Sequence, residues 1–520
     1  MVLLTLLAGF IFPDLIPTAE AVPGCGTLDS PEQGIPGDVP LADQLSGRAD
    51  QGYNCGVAVV GYNALGGRGG NANMAWAGDC AYVTGKGIAV VDVRDPLRPK
   101  HVRTLQGGGS SATVETVYAV AAPDRSILVA GRYGFYNFEP TAFAPVDVWD
   151  VSDCTRPKLL STFEFQGNVH NLTLSADARR VYSTLPLQAA DLTDPRHPKL
   201  LGSIEADLQA GGVAHYQYAH EAWPSPDGRR LYIGGQLSFV GDEELMIVDI
   251  EGWPKRRATV LGRTPLPGHS IRPATIRGKP YLLHSDESVL NLTAKSCTSY
   301  ALSPLGQPPD SLTPLGGVAQ PYLTDISNER RPITRSQYRL PINDTVNCPK
   351  QLASGVNASV HYHDVDDPDD TTFALLSMWN AGLRIVDVRD PRRPREAAYF
   401  NPGRFQDPDP FDGGPLDQGI ALQSLQNLDQ AWAHVRYRPE TGQIWLATRS
   451  GGFWVLELEP QVRAALGLPV RPSHHPRGGP PRPPASHLAV DPRSGSAALY
   501  CTLNAGTAPL VTALRPQVPR

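Results

Sequence analysis

Long apolar runs are scarce in this 520-residue sequence. The longest is an 11-residue stretch within MVLLTLLAGFIF at the start, too short to span a bilayer comfortably, so no transmembrane helix is expected in the mature chain. A basic stripe is missing too: 46 Lys and Arg stand against 52 Asp and Glu, a net charge of −6, and no nucleic-acid partner is expected. The seven cysteines (Cys25, Cys55, Cys80, Cys154, Cys297, Cys348, Cys501) form no Cys-x-x-Cys pair, which disfavours a zinc ribbon or a thioredoxin-type site. No Gly-x-Ser-x-Gly elbow accompanies the Ser beside His in HSIRP and HSDE, so a serine hydrolase is disfavoured. The segment GGRGG at Gly66 has no strand-to-helix context, and no nucleotide cofactor is expected. DVDDPDD from Asp364 lacks the spaced ligand-and-glycine order of a calcium loop and reads as a solvated turn.

What the chain has in plenty is turn chemistry, with 50 Gly and 50 Pro. The stretch GLRIVDVRDPRRPREAAYF at Gly382 recurs as GIAVVDVRDPLRPKHVRTL at Gly87, PVDVWDVSDCTRPKLLSTF at Pro145 and LQAADLTDPRHPKLLGSI at Leu187. Looser copies begin at Glu244 and Gln320. The shared acidic position falls at Asp92, Asp150, Asp191, Asp249, Asp325 and Asp387, and Glu457 in GGFWVLELEP holds the same place, making seven copies. Their spacings of 58, 41, 58, 76, 62 and 70 residues suit stacked four-stranded blades of roughly 40 to 50 residues plus insertions. Short β-branched runs closed by Asp-Pro and a second Pro forbid helix continuation. The fold expected is all-β, a seven-bladed β-propeller, with eight blades left open if a C-terminal hairpin joins the ring. The repeated Asp recurs with the turn and is expected to bond turn amides.

A second unit precedes each copy. HNLTLSADARRVY from His170, HEAWPSPDGRRLY from His220, HSIRPATIRGKPY from His269, HYHDVDDPDDTTF from His361 and HVRYRPETGQIW from His434 each open on His and close on an aromatic residue 12, 12, 12, 12 and 11 positions later. Glu115 takes the His place in the second blade; the first offers Asn71 or Asn73. Turn residues fill the middles, so each unit is a hairpin whose first strand lines the channel. The aligned imidazoles are candidate ligands for iron, copper or zinc, with Glu115 as a further ligand or an orienter. Glu221, Asp286 and Asp364 are candidate acceptors for the far ring nitrogens, and His363 and His284 lie near the same rim. The plainer alternative is that these His bond neighbouring backbone and hold the blades together. No residue is singled out as a general acid or base.

The VDVRDPxxP pattern with its preceding hairpin resembles the LVIVD-repeat proteins, over roughly residues 55 to 460. The resemblance implies an exported bacterial β-propeller, mostly of unassigned activity. Residues 1–21 end in Ala19-Glu20-Ala21 and read as a signal peptide, giving a secreted, periplasmic or cell-surface location. Residues 22–54 form an N-terminal extension, 55–460 the propeller, 461–486 a Pro-rich linker, and 487–520 a C-terminal hairpin or extra blade. CGVAVVGY from Cys55 is expected to supply the outer strand of the blade containing His434. Cys297 with Cys348, and Cys55 with Cys80, are the disulfides considered. The Asn-x-Ser/Thr tripeptides at Asn171, Asn291, Asn343 and Asn357 are taken as chance matches. Two functions follow: a metal-dependent oxidoreductase, or a non-catalytic binding propeller taking a small molecule or protein ligand at its mouth. A monomer is expected.

Overall fold

The computed structural model describes residues 25–471 except 69, 86, 108–115, 132–142, 168, 185, 214–218, 236–244, 267, 286–320, 348, 351–353, 355, 357 and 404–427. The proposed signal peptide, the C-terminal hairpin, Glu115, Asp286, Cys297, Cys348, Cys501, Asn291 and Asn357 lie outside the described residues.

Seven antiparallel sheets follow one another along the chain. Blade 1 is Met74–Ala77, Cys80–Val83, Ile88–Asp92 and Lys100–Leu105. Blade 2 is Val117–Ala122, Arg125–Gly131, Phe143–Asp150 and Lys158–Gln166. Blade 3 is Leu172–Leu174, Arg180–Ser183, Gln188–Asp191 and Lys199–Ser203. Blade 4 is Ala219–Pro224, Arg230–Gly235, Leu245–Asp249 and Thr259–Thr264. Blade 5 is Ser270–Ile276, Lys279–Ser285, Tyr322–Asp325 and Ile333–Gln337. Blade 6 is His363–Val365, Phe373–Ser377, Leu383–Asp387 and Arg395–Asn401. Blade 7 has Ala431–Arg438, Gln443–Thr448 and Gly452–Leu458 from the C-terminal side. First strands of successive blades meet around the axis, and that of blade 7 meets that of blade 1, so the ring is closed. This is a seven-bladed β-propeller.

The third strands explain the near-continuous apolar runs of the repeat. In Ile88–Asp92, Ile88 and Val90 pack toward blade 2 while Ala89 and Val91 pack toward blade 7. A strand buried on both faces needs apolar residues at every position rather than at alternate ones. Apolar clusters of this kind fill all seven gaps between blades. The acid that ends each run turns the chain. Asp92, Asp150, Asp191, Asp249, Asp325 and Asp387 each accept the amide hydrogen of the residue two further on, at 2.7 to 3.1 Å. The Ser152 amide holds the Asp150 carboxyl below its usual range. That is the turn role expected of the repeated Asp.

The ring is closed by the N-terminal side twice over. Val57–Asn63 pairs with Gly452–Leu458 as the outer strand of blade 7. Tyr53–Cys55 pairs with Arg395–Asn401 as a fifth strand on blade 6, an addition that the repeat pattern does not predict. Gly56 joins the two at φ +69, and a Cβ there would run into Val462 of the helix Pro460–Ala465. The extension is further tied down by Arg384, which is fully buried and pairs with both Glu32 and Glu396. One disulfide joins Cys25 to Cys55 and another joins Cys80 to Cys154. The pairing of Cys55 with Cys80 is therefore corrected: Cys55 sits on blade 6 and is taken by the N-terminal segment, while Cys80 faces blade 2. Asn171 and Asn343 are each 2% exposed, in keeping with chance tripeptides. Among the described residues no helix is long and apolar enough to cross a membrane.

Candidate functional site on the channel axis

Four of the aligned histidines meet at the axis. His170, His220, His269 and His361 come from blades 3 to 6, and all are buried. Successive rings lie 4.4, 3.4 and 5.1 Å apart between centroids. Nδ1 of His220 donates to the His269 carbonyl at 2.8 Å, Nδ1 of His269 to the His361 carbonyl at 3.0 Å, and Nδ1 of His361 to the Trp432 carbonyl at 2.7 Å. Each of these three imidazoles thus fastens its own blade to the backbone of the next and fixes its tautomer with a proton on Nδ1. Trp379 and Trp432 flank His361 at 5.4 and 5.1 Å. A metal would have to use the Nε2 atoms. Among the described residues, Cys25, Asp29 and Cys55 form the only group of three His, Cys, Asp or Glu ligand atoms within 4.8 Å of one another, and those two thiols are joined as a disulfide.

His434 stands in a different layer. The aromatic residue closing each hairpin pairs with a partner on the first strand: Thr173 opposite Tyr182, Trp223 opposite Tyr232, Ala274 opposite Tyr281 and Arg436 opposite Trp445. In blade 6, Asp366 stands opposite Phe373 through its amide. His170 and His220 precede that partner by three residues, and His269 and His361 by five, an odd number in each case. His434 precedes it by two, so strand alternation sends its side chain the other way. The hairpin gap of 11 rather than 12 already carried that difference.

Counting two residues back in every blade gives Asn73, Tyr118, Asn171, Glu221, Arg272, Asp364 and His434, a ring with a polar group from each of the seven blades. Arg272 is its hub. Nη1 donates to Glu221 Oε1 at 2.8 Å, Nη2 lies 2.5 Å from His434 Nδ1, and Nε is 3.7 Å from Asp364 Oδ1. A guanidinium has no lone pair to offer, so His434 Nδ1 accepts and the imidazole proton sits on Nε2, 3.8 Å from Glu221 Oε1. Glu221 Oε2 also accepts the Ile271 amide hydrogen at 2.6 Å. Its partners are this amide and Arg272, rather than the far nitrogen of a ring histidine. Asn171 donates to the Tyr362 hydroxyl at 3.0 Å, and Tyr362 packs on His434 at 4.0 Å, so a tyrosine fills the axis between the two layers. Burial pushes the Asp364 carboxyl up to about 6. It also pushes the Tyr118 hydroxyl up.

Beyond this ring the first strands end in half-buried aromatic and basic side chains. Arg272 lies 3.8 Å over the Trp223 ring, and Tyr118 meets Trp223 edge to face at 5.4 Å. Arg436 lies 4.6 Å from Trp445 and 5.7 Å from Trp76. Asp364 keeps 19% of its side-chain surface in solvent. Glu221 and Asp364 balance Arg272 and Arg436, so the mouth offers flat apolar faces, donors and acceptors with little net charge. Tyr118, Arg272, Trp223, Trp76 and Arg436 were not singled out from the sequence. Register counting from the hairpin aromatics was the signal that could have found the first two.

His363 and His284 lie off the axis, His363 between blades 5 and 6 and His284 on the opposite face of blade 5, stacked on Tyr322. His363 Nε2 donates to the Leu283 carbonyl at 3.0 Å, with Nδ1 3.3 Å from Ser285 Oγ, and burial holds its pKa well below the usual value. His284 Nε2 contacts Thr324 Oγ1 at 2.8 Å within blade 5. All the residues outside the described set fall between the second and third strands of a blade or between one blade and the next, apart from the two chain ends. His170, His220, His269 and His361 stand at the start of the first strands, whereas the aromatic mouth lies at the opposite end of the same strands.

No protein-family profile matches the chain. No curated protein matches it either. Solved structures that align with it include a chain in the crystal structure of a mitotic checkpoint complex, at 10% identity and a TM-score of 0.43 over 87% of this chain and 100% of that one. The β-propeller domain of Myceliophteria thermophila Cps50 (Swd1) aligns at 12% identity and a TM-score of 0.44, over 75% of this chain and 97% of that one. Chaetomium thermophilum Sqt1 aligns at 12% identity and a TM-score of 0.41, over 74% of this chain and 80% of that one. At these values the blade count rests on the seven sheets themselves.

Proposed function

We propose that this chain is an exported, non-catalytic binding propeller of the LVIVD-repeat type, which holds a small polar ligand at the axial mouth formed by Trp76, Tyr118, Trp223, Asp364 and Arg436. The observation that carries this reading is the mouth itself: the half-buried side chains of Trp76, Tyr118, Trp223 and Arg436 and the partly exposed carboxylate of Asp364, drawn from five blades, lie around the buried Glu221–Arg272 pair. Concave sites with apolar walls and a few fixed polar groups are where small ligands bind. The imidazole layer serves as a belt between blades, the Nδ1 protons of His220, His269 and His361 being committed to the next blade. Export is supported by two disulfides, which persist in oxidising compartments, and by the apolar start of the sequence. The LVIVD assignment is supported by the VDVRDPxxP motifs at Val91 and Val386.

A second reading places a metal against the Nε2 atoms of His220, His269 and His361. It is favoured by one observation, the Nδ1 bonds to carbonyls, which is how metal-bound histidines are commonly oriented. It requires the three imidazoles to close together from their present spacing. The binding reading is tested by thermal unfolding of the full chain against a library of small polar compounds, beside Trp76→Ala. A hit that raises the Tm of the parent and not of the variant supports the mouth. Hits that act equally on both, or a library without a single hit, would count against it.

A further inference from the structure

We infer that the chain carries a second binding site, for a doubly charged oxyanion of the phosphate or sulfate type, in a concavity between blades 5 and 6 whose open donors are Arg277 and Arg393. The concavity measures about 310 Å³ and is lined by Arg277, Asp387, Arg389, Asp390, Arg393 and Arg395. It is independent of the axial mouth. Arg277 is the tip of the blade 5 hairpin, and the other five residues stand where the third strand of blade 6 turns into its fourth, away from the axis.

Blade 6 uses the repeated turn differently from the other blades. In blades 1, 2 and 3 the turn acids Asp95, Asp153 and Asp194 pair with the side chain three residues on, Arg98 at 3.0 Å, Arg156 at 2.6 Å and His197 at 2.8 Å. Each of those turns is also closed by a backbone bond between the same two residues. Blade 6 keeps that bond, the Arg393 amide donating to the Asp390 carbonyl at 2.9 Å. The side-chain pair is missing, and Asp390 accepts the Arg392 amide hydrogen at 3.1 Å. Among the described residues the exposed Arg393 guanidinium has neither a hydrogen bond nor an ion pair. The blade 5 hairpin departs as well. Every other hairpin tip carries an acid, at Asp79, Asp124, Asp177, Asp227, Asp367 and Glu440, whereas that of blade 5 reads Ile276-Arg277-Gly278-Lys279. Arg277 takes φ +52, a turn position that favours Gly, Asn or Asp. Its exposed guanidinium likewise has no hydrogen bond or ion pair among the described residues.

Asp387 and Arg389 are spent on each other. Arg389 holds both oxygens of Asp387 at 2.6 to 3.2 Å and donates to the Ala465 carbonyl at 2.8 Å. Four arginines against two carboxylates leave the hollow positive, with two guanidinium forks open. All six lining side chains are charged, so an apolar ligand finds no wall to pack on and a cation is repelled. A single carboxylate has oxygens for one fork. A tetrahedral dianion has oxygens for both, and its second charge answers the second arginine. The turn that presents Arg393 is fixed in advance: Pro391 and Pro394 bracket it, and Ser336 Oγ on blade 5 donates to the Pro391 carbonyl at 2.7 Å. Binding therefore has side chains to order but no backbone.

The test is isothermal titration of the full chain in low salt at about pH 7.5, where a phosphate ester is mainly dianionic. The probes are inorganic phosphate, sulfate and glycerol 3-phosphate, with co-sedimentation on phosphatidylcholine vesicles with and without phosphatidic acid as a further arm. At least one dissolved probe, or the phosphatidic acid vesicle, is expected to bind and to lose about ten-fold in affinity in Arg277→Asn and in Arg393→Gln. Asn suits the positive φ of the hairpin, and both side chains are exposed, so circular dichroism is expected to be unchanged. The two variants are read separately, so a failure of one to fold leaves the other decisive. Arg98→Gln, which removes the same charge from a paired arginine at the matching place in blade 1, is expected to leave the affinity as it was. Binding to the phosphatidic acid vesicle alone would support the site and assign its oxyanion to a lipid headgroup; binding of the dissolved probes would support it as a site for a free ion or ester. Silence from every probe would overturn the inference. So would an equal loss in Arg98→Gln, which would mark a general effect of charge, or binding indifferent to both Arg277→Asn and Arg393→Gln.

Discussion

Nη1 of Arg272 on blade 5 donates a hydrogen bond to Oε1 of Glu221 on blade 4 at 2.8 Å, with neither side chain more than 2% exposed. A charge pair this far from water is costly to break, because the group left behind cannot be rehydrated; removing one partner of such a pair costs about 3 to 5 kcal/mol. Glu221→Ala is expected to lose stability on that scale in urea unfolding. Replacing both, as Glu221→Gln with Arg272→Met, is expected to cost less than the single change. A loss below about 1 kcal/mol in Glu221→Ala would mean that the charge at Arg272 finds other partners.

The turn aspartates give a smaller and more local effect. Asp150 accepts the Ser152 amide hydrogen at 2.9 Å, and its ionised form is favoured by that bond. Asp150→Ala is expected to cost about 1 to 2 kcal/mol at pH 7 by chemical denaturation. The cost should shrink as the pH falls from about 4 through the lowered folded-state value, where the parent carboxylate takes up its proton and its contribution is lost.

Asp364 gives the opposite pH dependence. Its folded-state pKa is raised to about 6 by burial, so the folded chain holds a proton that the unfolded chain releases near 4. Stability from this group is present below pH 4 and is lost as pH rises through about 6. Asp364→Asn removes the penalty. Relative to the parent it is expected to gain stability between pH 4 and pH 7, by up to about 3 kcal/mol. A difference that stays flat over that range would show that Arg272 fully compensates the carboxylate.

Peptide mapping under non-reducing conditions is expected to recover Cys25 linked to Cys55 and Cys80 linked to Cys154. These bridges close loops of 30 and 74 residues, which on the chain-entropy account stabilise the fold by about 4 kcal/mol each. Reduction should therefore lower the unfolding temperature markedly. A Cys55–Cys80 peptide would contradict the placement of Cys55 on the edge of blade 6.

Much of this architecture could be read without coordinates. The repeat carried its own turn, strand and hairpin signals, so the blade count and the supply of Val57–Asn63 to blade 7 followed from the pattern. Which face of a strand a side chain takes was harder, because one residue of register reverses it. The aligned His434 fell on the wrong side for that reason. Arg272, Glu221 and Asp364 sit in equivalent places on blades 5, 4 and 6, but three different residue types at one position leave no repeat to notice. The Cys pairs were illegible because Cys154 meets Cys80 only through the packing of blade 2 on blade 1, and Cys25 meets Cys55 only where the N-terminal segment lies on the edge of blade 6, at Cα separations of 5.7 and 4.8 Å.

The central claim is that the imidazole layer fastens the blades while the mouth binds. The most direct measurement is elemental analysis of purified, tag-free protein, grown with iron, copper and zinc supplied in turn, beside a His220→Ala, His269→Ala double variant. The expected result is well under one metal per chain in the parent and a lowered Tm in the variant, from loss of the Nδ1 bonds between blades. Stoichiometric metal that disappears in a folded double variant would contradict the claim and make the histidines a metal centre.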